Sequence, residues 1–327
     1  MAYPMVQLPQ WRSHLPEAVA KQELIADVRA WVTSEPLTNL VSTWGTYIPE
    51  NTDLNVLLPW LDEFSEKYWN FRAGRERNLV EKPSLTKTQE ESTVPAARAL
   101  GLMKSRPPRH HSYDAILVLG GLVRACFVRP RYAAELLKSD VHSNTVVGLG
   151  GFRPLAGDEL DLAKHFGVKV LDEMHAMVEG IRQAFNIPFK PLYENDGKVG
   201  GNADWEVARF PTNSSSVENL SVIAAPSSQP EQRRANSVDT YLWWAKNFRL
   251  ARKARVLMIT TTIYVPYQGA GAIQALSLRY GADVETIGVP ARLADLGEQT
   301  QKFLPHHYLQ ELRSAIRGYR SLVDALG

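Results

Sequence analysis

The sequence predicts an α/β protein with a Rossmann-like, doubly wound and mostly parallel sheet, a helical amino-terminal extension and an inserted loop or hairpin. Two segments carry this prediction. Residues 113–121 read YDAILVLGG and residues 145–151 read TVVGLGG, so each is a short apolar run that ends in a glycine pair. Such runs are typical of strands buried on both faces of a parallel sheet. An amphipathic helix pattern follows each run, which predicts consecutive right-handed crossovers.

The composition is that of an ordinary globular protein, with 327 residues, 44% hydrophobic residues, 22% charged residues and a net charge of +2. This charge gives no indication of a surface that wraps nucleic acid. Cys126 is the only cysteine, which excludes an intrachain disulfide and favours a reducing, cytoplasmic location. We find no secretory leader and no apolar run of about 18 residues, so we expect no membrane span.

Residues 1–112 are predicted to form a helical amino-terminal section followed by a connector. Apolar residues recur at helical spacing in residues 17–33 and 54–71, and several tryptophans in this section are expected to pack in a core. Residues 76–112 are rich in charged residues, Pro, Ser and Thr, which is typical of a connector.

Residues 113–295 are predicted to form the Rossmann-like core, with an insertion around 190–219 that forms a loop or a hairpin. Residues 296–327 are predicted to form a carboxyl-terminal helix packed on this core. The other elements of the core are predicted as strands at 221–225, 255–262 and 282–290, and as helices at 173–185 and 238–252 and up to residue 281.

A ligand site is predicted at the carboxyl edge of the sheet, because ligands of open α/β sheets bind there. Backbone amides of the glycine pairs and several arginines are expected to converge on an anion such as a phosphate. The alternative is that the arginines pair with surface acids and the glycines are structural. Glu159 and Asp239 are the candidate general acid or base. The candidate ligand-binding residues are Gly120, Gly121, Arg124, Gly150, Gly151, Arg153, Arg234, Asn236, Thr261 and Tyr264.

Other chemistries find less support in the sequence. The histidine doublets at 110–111 and 306–307 do not have the spacing of metal ligands, so no metal site is predicted. Cys126 follows the first glycine pair, but a single cysteine is more often a small buried hydrophobic residue than a nucleophile. The basic run at 248–256 is typical of a helix end as well as of an RNA-binding face. Neither glycine pair belongs to a dinucleotide fingerprint or a phosphate-binding loop of the Walker type.

The order of these motifs resembles the YdcF, SanA and ElyC family of Rossmann-like bacterial proteins. The resemblance rests on residues 114–121, 146–151 and 234–240, on Glu159, and on residues 259–270. It covers more than half of the chain. It implies a nucleotide-like or phosphorylated ligand, with S-adenosylmethionine or a nucleotide as the cofactor. The family's histidine and arginine fall on Tyr264 and Gln268, and its glutamate and asparagine on Asp239 and Thr240.

These observations together predict an enzyme, a transferase or a hydrolase, that acts on a nucleotide-like or phosphorylated small anion. One alternative is a binding protein without catalysis for a nucleotide or an S-adenosylmethionine-type ligand. A second alternative is an RNA-associated transferase. An acid with a strongly perturbed pKa beside the glycine pairs would favour the enzyme, because catalytic acids and bases need tuned pKa values.

Overall fold

The computed structural model describes residues 3–71, 83–211 and 217–327. The predicted insertion around 190–219 therefore lies in part outside the described residues. From residue 115 onward the described chain contains seven strands, with helices between most of them. The strands are β1 (Ala115–Leu119), β2 (Thr145–Gly150), β3 (Leu192–Asn195), β4 (Glu206–Arg209), β5 (Asn219–Ala224), β6 (Arg255–Thr261) and β7 (Asp283–Val289).

The helices include one group before the first strand and a second group between and after the strands. They are α1 (Glu17–Val32), α2 (Glu35–Ser42), α3 (Leu54–Trp69), α4 (Lys87–Ala99), α5 (Val123–Lys138), α6 (Glu159–His165), α7 (Glu173–Ala184), α8 (Ser237–Asn247), α9 (Val265–Ala272), α10 (Leu278–Tyr280), α11 (Ala291–Ala294) and α12 (Pro305–Asp324). No helix in the described ranges is both long enough and apolar enough to cross a bilayer.

The chain divides into two compact units. Unit 1 comprises Met1–Lys104, Thr262–Gln274 and Lys302–Gly327. Unit 2 comprises Ser105–Thr261 and Ala275–Gln301, and it contains the whole sheet.

The sheet of unit 2 has seven strands in the order β3-β4-β5-β2-β1-β6-β7. Pairs among β5, β2, β1, β6 and β7 are parallel, whereas β3 and β4 add an antiparallel hairpin beside β5. The predicted α/β fold with a mostly parallel sheet and an inserted hairpin is therefore confirmed. From β1 the chain moves to β2 and β5, then returns to place β6 on the other side of β1. This reversal makes the carboxyl ends of β1 and β6 the topological switch point, where α/β sheets bind ligands.

The two glycine pairs lie side by side at the carboxyl edge, as predicted. Leu119 of β1 pairs with Leu149 of β2 in parallel register, and the glycines follow directly. A Cβ atom at Gly120 would overlap the Leu149 carbonyl oxygen and the Glu173 carboxylate. A Cβ atom at Gly151 would meet nothing within 4 Å. A Cβ atom at Gly150 would overlap the Met174 backbone, so Gly120 and Gly150 are required for packing, whereas Gly151 borders open space.

Helices α5 and α7 pack against each other and cover the central strands. Their close approach depends on Gly180, where a Cβ atom would overlap the carbonyl group of Cys126. Apolar side chains from both helices and from the strands between them form one hydrophobic core. Residues Val118, Phe127, Met177 and Val222 are at most 1% exposed within it. Since burial of apolar area is the main driving force for folding, this core fixes the sheet edge that carries the glycine pairs.

Unit 1 is a helical unit built around aromatic side chains. Trp31 is fully buried, donates a hydrogen bond from Nε1 to the Leu100 carbonyl oxygen at 3.2 Å, and packs edge-on against Tyr319 of α12. The helices predicted at 17–33 and 54–71 are observed as α1 and α3.

The description of residues 76–112 as a connector was incomplete, because part of this segment forms α4. Thr86 and Gln89 form a capping box at its start, and the helix buries mainly Ala96, Ala97 and Ala99. Short alanine side chains gave too weak an apolar pattern to distinguish this helix from a linker. Residues 76–82 lie outside the described residues.

Candidate functional site

Arg129 links the ends of the two strands at the topological switch point. Its side chain is buried and donates a hydrogen bond to the Leu119 carbonyl oxygen at 2.7 Å and another to that of Gly120. It also donates to Oγ1 of Thr261 at 3.0 Å from Nη2. Because Thr261 ends β6, this arginine links the carboxyl ends of β1 and β6. The predicted ligand residue Thr261 thus lies at the switch point, bound to an internal guanidinium.

Glu159 and Arg153 form a buried ion pair beside the first glycine pair. The Arg153 guanidinium donates to the two Glu159 carboxylate oxygens at 2.7 and 2.9 Å and to the Gly121 carbonyl oxygen at 3.1 Å. Glu159 is 1% exposed and also accepts from the amides of Val123 at 3.0 Å and Ala156 at 3.2 Å. Val123 is the first residue of α5, so Glu159 occupies the helix end at which an external anion would bind.

Glu173 contacts the same arginine from the other side. It opens α7, and its Oε2 accepts from Arg153 Nε at 3.0 Å. Its Oε1 lies against Gly120 and accepts no hydrogen bond from any described residue. The Glu173 side chain as a whole is 15% exposed.

The two glutamates have pKa values that are shifted in opposite directions. Burial raises the pKa of Glu159, but the hydrogen bonds and charge of Arg153 and the two backbone amides outweigh burial, so its pKa is lowered. Burial also raises the pKa of Glu173, and here the attraction of Arg153 and Arg129 does not compensate, so its pKa stays raised. Two carboxyl groups with separated pKa values around one arginine are a pattern of acid–base sites.

The segment that opens α8 forms a third polar cluster. Asp239 and Asn236 make a reciprocal capping box, with the Asn236 amide to Asp239 Oδ2 at 2.9 Å and the Asp239 amide to Asn236 Oδ1 at 3.0 Å. Arg233 pairs with Asp239 and donates to Ser228 at 2.9 Å. Burial raises the pKa of Asp239, but Arg233, Ser228 and the Asn236 amide outweigh burial, so the pKa is lowered below its ordinary value. These contacts favour a helix-capping role for Asp239. Arg234, the predicted partner of an anion, is exposed.

The remaining predicted residues are divided between the two units. Arg124 lies at the start of α5 and donates to the Gln299 carbonyl oxygen at 2.6 Å and to Asp158 at 3.3 Å. Gly150 and Gly151 lie at the end of β2, where the Gly151 carbonyl oxygen accepts from the Met174 amide at 2.9 Å. Tyr264 belongs to unit 1 and packs edge-on against Phe303.

Cys126 lies in α5 beneath the first glycine pair. It is fully buried, and its Sγ lies 3.6 Å from the Gly121 carbonyl oxygen. Burial, followed by the charge of Glu173, raises the pKa of this thiol strongly. A thiol that stays protonated is a poor nucleophile, so the structure favours the buried, structural role for Cys126.

Sequence reasoning missed Glu173 and its neighbours Asp172 and His175. The usable signal was the segment DEMH, because an Asp at the N-cap and an acid at the first helical position place a carboxylate at the sheet edge. In the described part of the chain, no group of three or more His, Cys, Asp or Glu side chains is arranged to hold a metal ion.

Comparison with known proteins gives one family match, which lies within unit 1. Residues 16–101 match the family described as the Rv3785 N-terminal domain. The chain is similar to the uncharacterized protein Rv3785 of Mycobacterium tuberculosis and to the uncharacterized protein Mb3814 of Mycobacterium bovis. Each is 28% identical over 322 residues, which cover 91% of this chain and 89% of the relative. No solved structure matches significantly.

The resemblance to the YdcF, SanA and ElyC family was wrong. The matching family model and the relatives belong to the Rv3785 group, and no comparison points to YdcF or SanA. The motifs that suggested the resemblance are strands ending in glycine pairs and a capped helix, which any doubly wound sheet can require. The order of these motifs therefore indicates the fold and does not identify the family.

Proposed function

We propose that unit 2 is an enzyme, a transferase or a hydrolase, that binds a phosphorylated or nucleotide-like anion at the glycine pairs and uses Glu173 as its general acid. The observation that carries the proposal is the position of Glu173 beside Gly120 at the carboxyl edge, where burial raises its pKa. An acid with a perturbed pKa at this edge supports an enzyme over a simple binding protein.

The charge balance around Arg153 supports an anionic ligand. Arg129 and Arg153 carry two positive charges, and Glu159, with its lowered pKa, carries one negative charge. When Glu173 is protonated, the cluster therefore has a net charge of about +1 in a poorly solvated site. A bound phosphate would balance this charge. It would also stabilise the protonated form of Glu173, because a nearby negative charge disfavours ionisation.

The geometry supports different roles for Glu159 and Glu173. Glu159 keeps Arg153 in place and remains ionised, while Glu173 holds a proton that it can donate to the oxygen of a leaving group. Open space above Gly151 leaves room for the ligand beside this proton. The arginines hold the glycine loop in shape through its carbonyl oxygens and supply a positive field for the charge that develops on the leaving group.

Phosphate release from a panel of nucleoside mono-, di- and triphosphates tests the proposal. We expect wild-type protein to hydrolyse at least one of them and Glu173→Gln to lower the rate by about 10²–10⁴-fold, the usual contribution of a general acid. Glu179→Gln is the matched control, since Glu179 lies in the same helix and pairs with Arg182 at 2.7 Å. The rate should fall as pH rises through the raised pKa of Glu173.

Two results would contradict this proposal. Phosphate release that is equal in wild-type protein and Glu173→Gln would remove Glu173 from the chemistry. Stabilisation of the wild-type protein by nucleotides without turnover of any of them would favour the binding protein instead.

A further inference from the structure

Six exposed cations lie together at the amino edge of the sheet, opposite the edge that carries the glycine pairs. We call them the basic patch, and they are Lys246, Arg249, Arg252, Lys253, Arg255 and Arg279. Five of them lie in residues 246–255, which end α8 and lead into β6. The Lys253 amide donates to the Gly281 carbonyl oxygen at 3.1 Å, which places the end of α10, and with it Arg279, beside this loop.

The basic patch carries positive charge that its surroundings leave largely uncompensated. None of the six side chains forms an ion pair with another residue in the described ranges. Asp114 contacts the patch, but its Oδ2 accepts from the Arg255 backbone amide at 2.7 Å. The carboxyl terminus of a helix favours cations because it carries a partial charge of about −0.5. Asp114 and the end of α8 together therefore offset only about 1.5 positive charges, so a helix-end role does not account for the basic patch.

Two cations of the basic patch occupy backbone positions that favour glycine. Arg249 has a φ of 53° and Lys253 a φ of 64°, in the left-handed region where a Cβ atom is strained. Elsewhere in the described residues, the non-glycine residues with positive φ are Asn51 and Asn186, and asparagine tolerates this conformation. A long cationic side chain thus stands at two positions where glycine would be less strained. Strained backbone of this kind is typical of functional segments.

The chemistry of the basic patch favours a phosphodiester backbone over a membrane surface. Four of its cations are arginines, whose planar guanidinium groups match pairs of phosphate oxygens. Of the described residues, no large exposed apolar side chain lies in 246–255 or 279–281, whereas proteins that bind membrane surfaces insert such side chains beside their cations. We propose that the basic patch binds the phosphodiester backbone of a nucleic acid strand. This site is separate from the glycine edge and does not rest on the proposed function.

The double variant Arg249→Gly with Lys253→Gly tests the proposal, because it removes two charges and relieves backbone strain. Its melting temperature should equal or exceed that of wild-type protein. The probes are a labelled oligouridylate of about 12 nucleotides and its deoxy analogue, followed by fluorescence anisotropy between about 50 and 200 mM salt. We expect the double variant to bind about 10- to 100-fold more weakly at the lowest salt. The slope of log affinity against log salt should become less negative by about 1.4, or about 0.7 for each lost contact.

Two further double variants accompany this measurement. Arg252→Gln with Arg279→Gln removes two charges of the basic patch without changing the backbone, and it should weaken binding similarly. Lys190→Ala with Lys198→Ala is the matched control, because both lysines are exposed and flank β3, which lies five strands away from β6. The control should bind both oligonucleotides as tightly as wild-type protein. Equal affinity for the two oligonucleotides supports contact with the backbone alone, and tighter binding of the oligouridylate assigns RNA through its 2′-hydroxyl groups.

The inference is overturned if wild-type protein binds neither oligonucleotide at about 50 mM salt. It is also overturned if both patch variants bind as tightly as wild-type protein, or if the control loses as much affinity as they do. Polyglutamate of the same total charge that competes as well as the oligonucleotide would reduce the patch to a general attraction for anions. Binding to phosphatidylglycerol vesicles through the same residues, without binding to oligonucleotides, would favour a membrane instead.

Discussion

Glu159→Gln is the most informative perturbation of the glycine edge, because it removes one charge and little volume. In the folded protein the Glu159 carboxylate is 1% exposed and accepts hydrogen bonds from Arg153 and from the amides of Val123 and Ala156. Glutamine keeps an oxygen for some of these donors but brings an amide group that itself donates. At least one donor of the cluster then loses its acceptor.

We expect this substitution to lower the free energy of unfolding by about 3 kcal/mol. Removing one partner of a buried ion pair usually costs about 3–5 kcal/mol, and the lower end applies because Arg153 retains Glu173 at 3.0 Å. For a unit of this size the melting temperature should fall by about 6–12 °C. The folded pKa of Glu159 is lowered, so its contribution is present above the unfolded value of about 4.3 and is lost as pH falls through the folded value.

Urea unfolding of both proteins between neutral and acidic pH measures this effect. The difference between wild-type protein and Glu159→Gln should be constant near neutral pH and should shrink below about pH 4. Asp161→Asn is the control, since Asp161 lies in the same helix and pairs with Lys164 on the surface. A difference below about 1 kcal/mol at neutral pH, or one that grows on acidification, would refute the role assigned to Glu159.

Four further substitutions test neighbouring features. Glu173→Gln should gain stability relative to wild-type protein as pH rises, because a raised folded pKa means that ionised Glu173 is disfavoured in the folded state; a pH-independent difference in urea melts would contradict this. Gly120→Ala should destabilise by about 1–3 kcal/mol through overlap with the backbone, whereas Gly151→Ala should change stability by less than about 0.5 kcal/mol. Equal melting temperatures for the two glycine variants would show that the close approach at β1 is unimportant. Asp239→Asn should cost about 1–2 kcal/mol through the helix cap and the Arg233 pair, and an unchanged thermal midpoint would exclude the capping role.

The sheet was predictable because its strands are short apolar runs that end in turn residues. Both glycine pairs were placed correctly, since parallel strands that follow each other in sequence usually neighbour each other in the sheet. The predicted insertion around 190–219 is observed in part as the antiparallel pair of β3 and β4. Helix α4 was missed because its buried face consists mainly of alanine.

The site was harder to predict, because partners of a charge cannot be inferred from spacing. Arg153 was expected to face a ligand, but it is bound by Glu159 and Glu173 from two different helices. Arg233, not Arg234, pairs with Asp239. Glu206 has no local motif, and its side chain is buried because β4 pairs with β5 at this position. Such states depend on tertiary packing between residues that lie far apart in the sequence.

The buried position of Cys126 allows local opening of the protein to be measured through the reactivity of its thiol. No other cysteine exists in the chain, and this one reaches solvent only when α5 separates from the core. The rate at which a thiol reagent modifies it therefore measures how often the glycine edge opens. A ligand that binds the closed edge must slow the modification in proportion to its occupancy. Ligands can thus be found for this protein before any reaction is known, with no label added to the chain.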